Sequence, residues 1–186
     1  ATDVYIVGTT NTPPTNGDYD AWIVKFNKGP LMTYAGEWVH GGTVFDVFYG
    51  VTELGPYVYA VGSTSFPTRG YDALIVQYQK NPFIPLAGKT YGGTSDELFT
   101  AATNDGSNIF AVGHTIDPLL VSGMADALIV KFNPALVIDG QIILGGTQLD
   151  EFWDVCYDPY NELWAAGFTD SKPPFDRDAL IFTVDP

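Results

Sequence analysis

Apolar residues come in short bursts along this chain, each halted by glycine, proline, asparagine or aspartate. Val4–Val7, Ala21–Phe26, Tyr57–Val61, Ala73–Tyr78, Ile109–Val112 and Ala127–Phe132 are bursts rich in β-branched and aromatic residues, which suit a pleated surface. The polar stretches between them carry turn-forming residues. No window of about 11–18 residues sustains a helical period, so the pattern predicts strands throughout and no substantial helix.

The bursts repeat. Tyr57–Lys80 reads YVYAVGSTSFPTRGYDALIVQYQK and has counterparts at Val4–Phe26, Ile109–Phe132 and Leu163–Val184. Each joins an apolar strand ending in Gly-x-Thr, a Pro/Gly-rich loop, and a second strand opening on Asp-Ala. Gly8, Gly62, Gly113 and Gly167 are spaced by 54, 51 and 54 residues, and Asp20, Asp72, Asp126 and Asp178 by 52, 54 and 52. Two independent markers on one period define a true repeat. Between the copies lies Gly-Gly-Thr-x-x-acid-x-Phe, at Gly41–Phe48, Gly92–Phe99 and Gly145–Phe152, with Asp46, Glu97 and Asp150 as the acid. A strand leads into each glycine pair (Tyr34–Val39, Gly88–Tyr91, Gln141–Leu144), and another follows it (Val47–Thr52, Leu98–Thr103, Phe152–Tyr157).

The unit is therefore four strands in about 52 residues, here lettered A (after Gly-Gly-Thr), B (ending in Gly-x-Thr), C (opening with Asp-Ala) and D (before Gly-Gly). Such a unit cannot bury both faces alone and must stack on its neighbours, which is the signature of a β-propeller blade. The expected fold is all-β, a single domain over residues 1–186 with repeats near 1–42, 43–93, 94–146 and 147–186. The order B-C-D, A-B-C-D, A-B-C-D, A-B-C makes 14 strands, with both terminal blades incomplete. That pattern fits a small ring with a thin seam, strands supplied by other chains, or a piece of a longer protein.

Asp46–Pro67 (DVFYGVTELGPYVYAVGSTSFP), followed by Asp72-Ala73, resembles the bacterial and archaeal β-propeller repeat called the SBBP repeat. The resemblance covers nearly the whole chain and implies a fold, not an activity. It also implies an extracellular or cell-surface setting, binding or structural roles, and more blades than four.

Charge narrows the partners. Eight Lys+Arg against 22 Asp+Glu give a net charge of −14. No basic stripe exists to neutralise phosphates, so nucleic acid is disfavoured, as is an anionic membrane surface. No apolar run approaches the roughly 18 residues of a membrane helix, so no membrane insertion is expected. The N-terminus shows no basic-then-apolar leader, as a processed secreted chain also would not. The remaining partners are other copies of the chain, other cell-surface proteins, glycans or cations.

Candidate chemistry is sparse. Asp46, Glu97 and Asp150 fit two uses: capping their own Gly-Gly-Thr turns, or converging in a ring around a hard cation such as calcium. Asp20, Asp72, Asp126 and Asp178, with the Gly-x-Thr glycines, read as structural; Thr10, Thr64, Thr115 and Thr169 offer blade-to-blade latches. Cys156 reads as a small buried core thiol, with a metal, redox or intermolecular role as the other use. His40 and His114 lie in non-equivalent places, and no nucleophile elbow, zinc spacing or phosphate loop occurs. Tyr19, Phe66, Tyr71 and Phe175 lie in the variable B–C loops, where aromatics could stack on sugars or pack on another subunit. The expected function is a non-enzymatic structural, self-assembling or protein-binding module without a cofactor. A closed propeller binding a glycan or calcium is the alternative, and a glycan-active enzyme domain a more distant one.

Overall fold

In the computed structural model, which describes residues 3–12, 19–68, 70–118 and 123–185, the bursts become fourteen strands in four sheets. The first sheet holds β1 (Asp3–Thr10), β2 (Asp20–Asn27) and β3 (Thr33–His40). The second holds β4 (Asp46–Leu54), β5 (Tyr57–Phe66), β6 (Gly70–Gln79) and β7 (Ile84–Tyr91). The third holds β8 (Glu97–Asn104), β9 (Ile109–Thr115), β10 (Asp126–Phe132) and β11 (Ile138–Leu144). The fourth holds β12 (Asp150–Tyr157), β13 (Leu163–Thr169) and β14 (Asp178–Val184). Every sheet is an antiparallel meander in chain order, and no helix occurs among the described residues.

The sheets stack face to face in sequence, with one apolar layer at each interface. Ala21 and Ile23 of the first sheet meet Phe48, Val58, Ala60, Leu74, Val76 and Tyr78 of the second. From the other face of the second sheet, Tyr59, Val61, Ala73 and Ile75 meet Phe99, Ile109, Ala111, Leu128 and Val130. Phe110, Val112, Ala127 and Ile129 then meet Phe152, Leu163 and Ala165. A middle sheet thus buries both faces, which is why Ala73–Tyr78 reads as an unbroken apolar run and not as an alternation. Each fully buried Ile, Val or Phe stabilises the stack by about 1.5–3 kcal/mol. Neighbouring sheets meet chiefly along their leading strands, β1 against β4, β4 against β8 and β8 against β12. The outer face of the fourth sheet stays open, with Trp164 39% and Ile181 67% exposed, and that of the first is open in part, with Ile6 48% exposed beside a buried Val24.

Three A-type strands carry the same bulge, between Phe48 and Gly50, Phe99 and Ala101, and Phe152 and Asp154. The bulge drives backbone into the neighbouring B-type strand. A Cβ on Gly62 would lie 2.8 Å from Phe48 Cα, one on Gly113 3.0 Å from Phe99 Cα, and one on Gly167 2.7 Å from Phe152 Cα. Only glycine leaves that space. Gly8 faces no such strand and has nothing within 4 Å.

Two expectations change. Cys156 is exposed and not a core thiol. The bulge at Trp153 adds a residue to β12 and shifts its alternation, so Val155 turns inward and Cys156 outward. The D strand expected at Gly88–Tyr91 begins earlier, at Ile84. Pro85 is carried there because β7 is the edge strand and its ladder slips between Gln77 and Tyr78.

Candidate functional site

The repeated acids lie at the joints between sheets. Asp20 and Asp126 open β2 and β10 and Asp72 is the third residue of β6, whereas Asp46, Glu97 and Asp150 open β4, β8 and β12 of the following sheet. The first glycine of each Gly-Gly pair lies between them. A Cβ on Gly92 would be 2.5 Å from Glu97 Oε2 and 2.8 Å from Asp72 Oδ1. At Gly41 it would meet Asp20 and Asp46, and at Gly145 Asp126 and Asp150. Each joint is thus a carboxylate pair packed into the space that a side chain on the glycine would fill. The six carboxyl-bearing residues are 1–6% exposed.

In two of the pairs the A-strand acid also caps its own turn. Glu97 Oε2 accepts from Gly93 N–H at 3.2 Å, and Oε1 from the Thr115 hydroxyl at 3.0 Å. Asp150 Oδ2 accepts from Gly146 N–H at 3.0 Å and from the Ser171 hydroxyl at 2.6 Å. Asp46 bonds to Thr64, its ladder partner. Thr64 and Thr115 therefore tie strands inside one sheet; the sheet-to-sheet latch is the carboxylate pair.

Burial dominates the electrostatics. It pushes Asp46 up to about 6, opposed by the Thr64 hydrogen bond and reinforced by Asp20. Burial also raises Glu97 above its ordinary value despite Gly93 and Thr115, with Asp117 and Asp72 adding to it. Asp126 is raised by burial and then by Asp150. Two facing carboxylates in a dry joint are stable when they share a proton, since one ionised oxygen then accepts from the other carboxyl. Oδ2 of Asp46 and Oδ1 of Asp126 are buried without a hydrogen-bond partner, which fits oxygens held ready for that proton.

Asp46, Glu97 and Asp150 each pack beside the aspartate of the preceding sheet. Among the described residues no three His, Cys, Asp or Glu side chains are placed to hold a metal. Asp178 departs from its series: it is exposed, opposite Thr169 in the ladder.

The aromatics expected in the B–C loops divide, and two of them are strand residues: Phe66 ends β5 and Tyr71 follows the first residue of β6, because these two strands extend their ladder to Phe66 opposite Gly70. Tyr19 and Tyr71 flank Phe45, with ring centroids 6.1 and 6.2 Å away. Phe45, Phe66 and Tyr71 line an open recess of about 400 Å³ beside the first joint. Phe175 stands apart in the last B–C loop, 57% exposed at φ 68°. The central parts of the loops at Asn11–Tyr19 and Ile116–Ala125 lie outside the described residues, as does Arg69. Neither histidine joins a site: His40 packs against Phe48, and His114 Nδ1 lies 3.1 Å from Glu151 Oε1.

The pairing of Asp20, Asp72 and Asp126 with the next acid was not anticipated from sequence. Its signal was present in the shared period of Asp-Ala, Gly-Gly and the acid. Phe45 was likewise missed, because it lies outside the B–C loops. Comparison with protein-family models finds no match for the chain, and comparison with curated proteins finds none either.

Proposed function

We propose that the chain is a β-propeller-type array of SBBP repeats acting as a non-enzymatic structural, self-assembling or protein-binding module outside the cell or on its surface. The observation that carries the reading is the pair of open apolar faces on the first and fourth sheets, where each inner face is buried against a neighbour. Convergence of neighbouring sheets on their leading strands supports a propeller-like arrangement. The repeated carboxylates support a structural role, since they are spent in the joints and not displayed to a substrate. The extracellular assignment rests on the repeat resemblance and the acidity. Light scattering for native mass, with end-on electron microscopy, tests the reading: rings or filaments of several chains are expected, and a closed 20.2 kDa ring would overturn self-assembly.

The recess at Phe45, Phe66 and Tyr71 favours a second reading, a propeller binding a glycan. A glycan array tests it; no retained glycan would remove it.

A further inference from the structure

The open faces correspond, position by position, to faces buried inside the molecule. In the third sheet Phe110, Val112, Ala127 and Ile129 face forward onto the fourth, and none is more than 2% exposed. The same repeat positions in the fourth sheet are Trp164, Ala166, Ala179 and Ile181, and all four are exposed. Trp164, Ala166 and Ile181 line, with Cys156, an open trough of about 240 Å³. At the other end, Val58, Ala60, Leu74 and Val76 face backward onto the first sheet and are 0–3% exposed. Their equivalents on the back of the first sheet are Val4, Ile6, Trp22 and Val24; Ile6 is nearly half exposed, Val4 and Trp22 are partly exposed, and Val24 is buried beneath them.

We infer that the forward face of the fourth sheet docks on the back of the first sheet of a second copy of this chain, head to tail. The inference rests on the assembly reading above and names its interface. The occupant follows from the repeat: the molecule builds this face-to-face contact three times internally, and each open face is one half of it. Among the described residues the two faces do not pack on each other, so the complement of each is supplied by another copy. Because the contact joins two different faces, it is heterologous; it closes into a ring or grows into a filament depending on the rotation per chain.

The test is native mass of the whole chain across concentration, for the wild type, Ile181→Lys and Ile6→Lys. Both positions are exposed, so both variants keep the fold, checked by circular dichroism; Thr183→Lys, on the same face as Trp164, is the second variant for the forward side. The wild type is expected to assemble, and each lysine to weaken assembly by roughly 30-fold or more, as for a central contact. Mixing Ile181→Lys with Ile6→Lys restores a two-chain species, since one intact back face meets one intact forward face. Cys156 reacts slowly with a maleimide in the assembly and fast in Ile181→Lys. Assembly that persists in every variant overturns this interface and leaves self-assembly standing. Loss in one variant with none in the other, or no recovery on mixing, overturns the head-to-tail arrangement. A wild type of 20.2 kDa at all concentrations overturns both the interface and self-assembly.

Discussion

Gly62, Gly113 and Gly167 sit where the neighbouring strand bulges into side-chain space, and Gly8 does not. Gly113→Ala therefore forces the β8 backbone to move and costs about 3 kcal/mol or more, whereas Gly8→Ala in an open strand stabilises by about 0.5 kcal/mol. Urea denaturation of the two variants checks the contrast. The carboxylate pairs make a second residue-scale prediction. Asp46, Glu97 and Asp126 bind protons more tightly folded than unfolded, where carboxyls titrate near 4. Their contribution is complete below about pH 4 and is lost as pH rises through about 6, the value of Asp46. The melting temperature should therefore rise as pH falls from 7.5 to 5, by an amount worth roughly 1.4 kcal/mol for Asp46. Asp46→Asn flattens that rise. Glu151 and Asp105, held below their ordinary values by His114 and by Asn108 and Ser107 respectively, pull stability down again in stronger acid.

Whole elements are fastened by polar reach as well as apolar layers. Lys25 of β2 is buried, with Nζ 2.7 Å from Lys80 O, 3.1 Å from Asn81 Oδ1 and 3.2 Å from Asp3 Oδ2. Gln77, at the same repeat position, reaches Pro134 O at 3.0 Å and the Tyr59 hydroxyl at 3.0 Å. Lys25→Met should cost about 3 kcal/mol by leaving Asp3 and the Lys80 carbonyl without their donor. Hydrogen exchange should show the loss concentrated in β1–β3. Strand number, order and much of each boundary were legible in the sequence, since β-type bursts and turn residues recur on one period. The direction of Cys156 was not, because one bulge at Trp153 reverses which face a residue takes. The carboxylate pairs were hidden for a related reason: Asp20 and Asp46 belong to different sheets, and only packing reveals that they share the space at Gly41. The early start of β7 was masked by Pro85, which sequence reasoning treats as a breaker and an edge strand tolerates.

At the scale of the molecule, stability should be graded along the stack. Each sheet touches mainly the next, as in an array whose stability sums over modules and interfaces. The two middle sheets have two covered faces and the end sheets one, so amide protection should be greatest in β4–β11 and least in β1–β3 and β12–β14. Exchange measured on dilute chain checks this, and evened protection at high concentration would report the covering of the ends. A net charge of −14 opposes association of copies, so assembly should strengthen as salt rises from about 10 to 150 mM.

The glycine wedged between two carboxylates also sets where one unit can be exchanged for another. Asp72, Gly92 and Glu97 form one joint, and all three lie on the continuous run from Asp72 to Glu97. A chimera spliced in the loop before Asp-Ala inherits that trio whole. One spliced just after Gly-Gly-Thr takes its aspartate and glycine from one parent and its acid from another, and can set a Glu into a joint shaped for Asp. The natural building block for recombination is thus offset from the sheet itself, running from one B–C loop to the next.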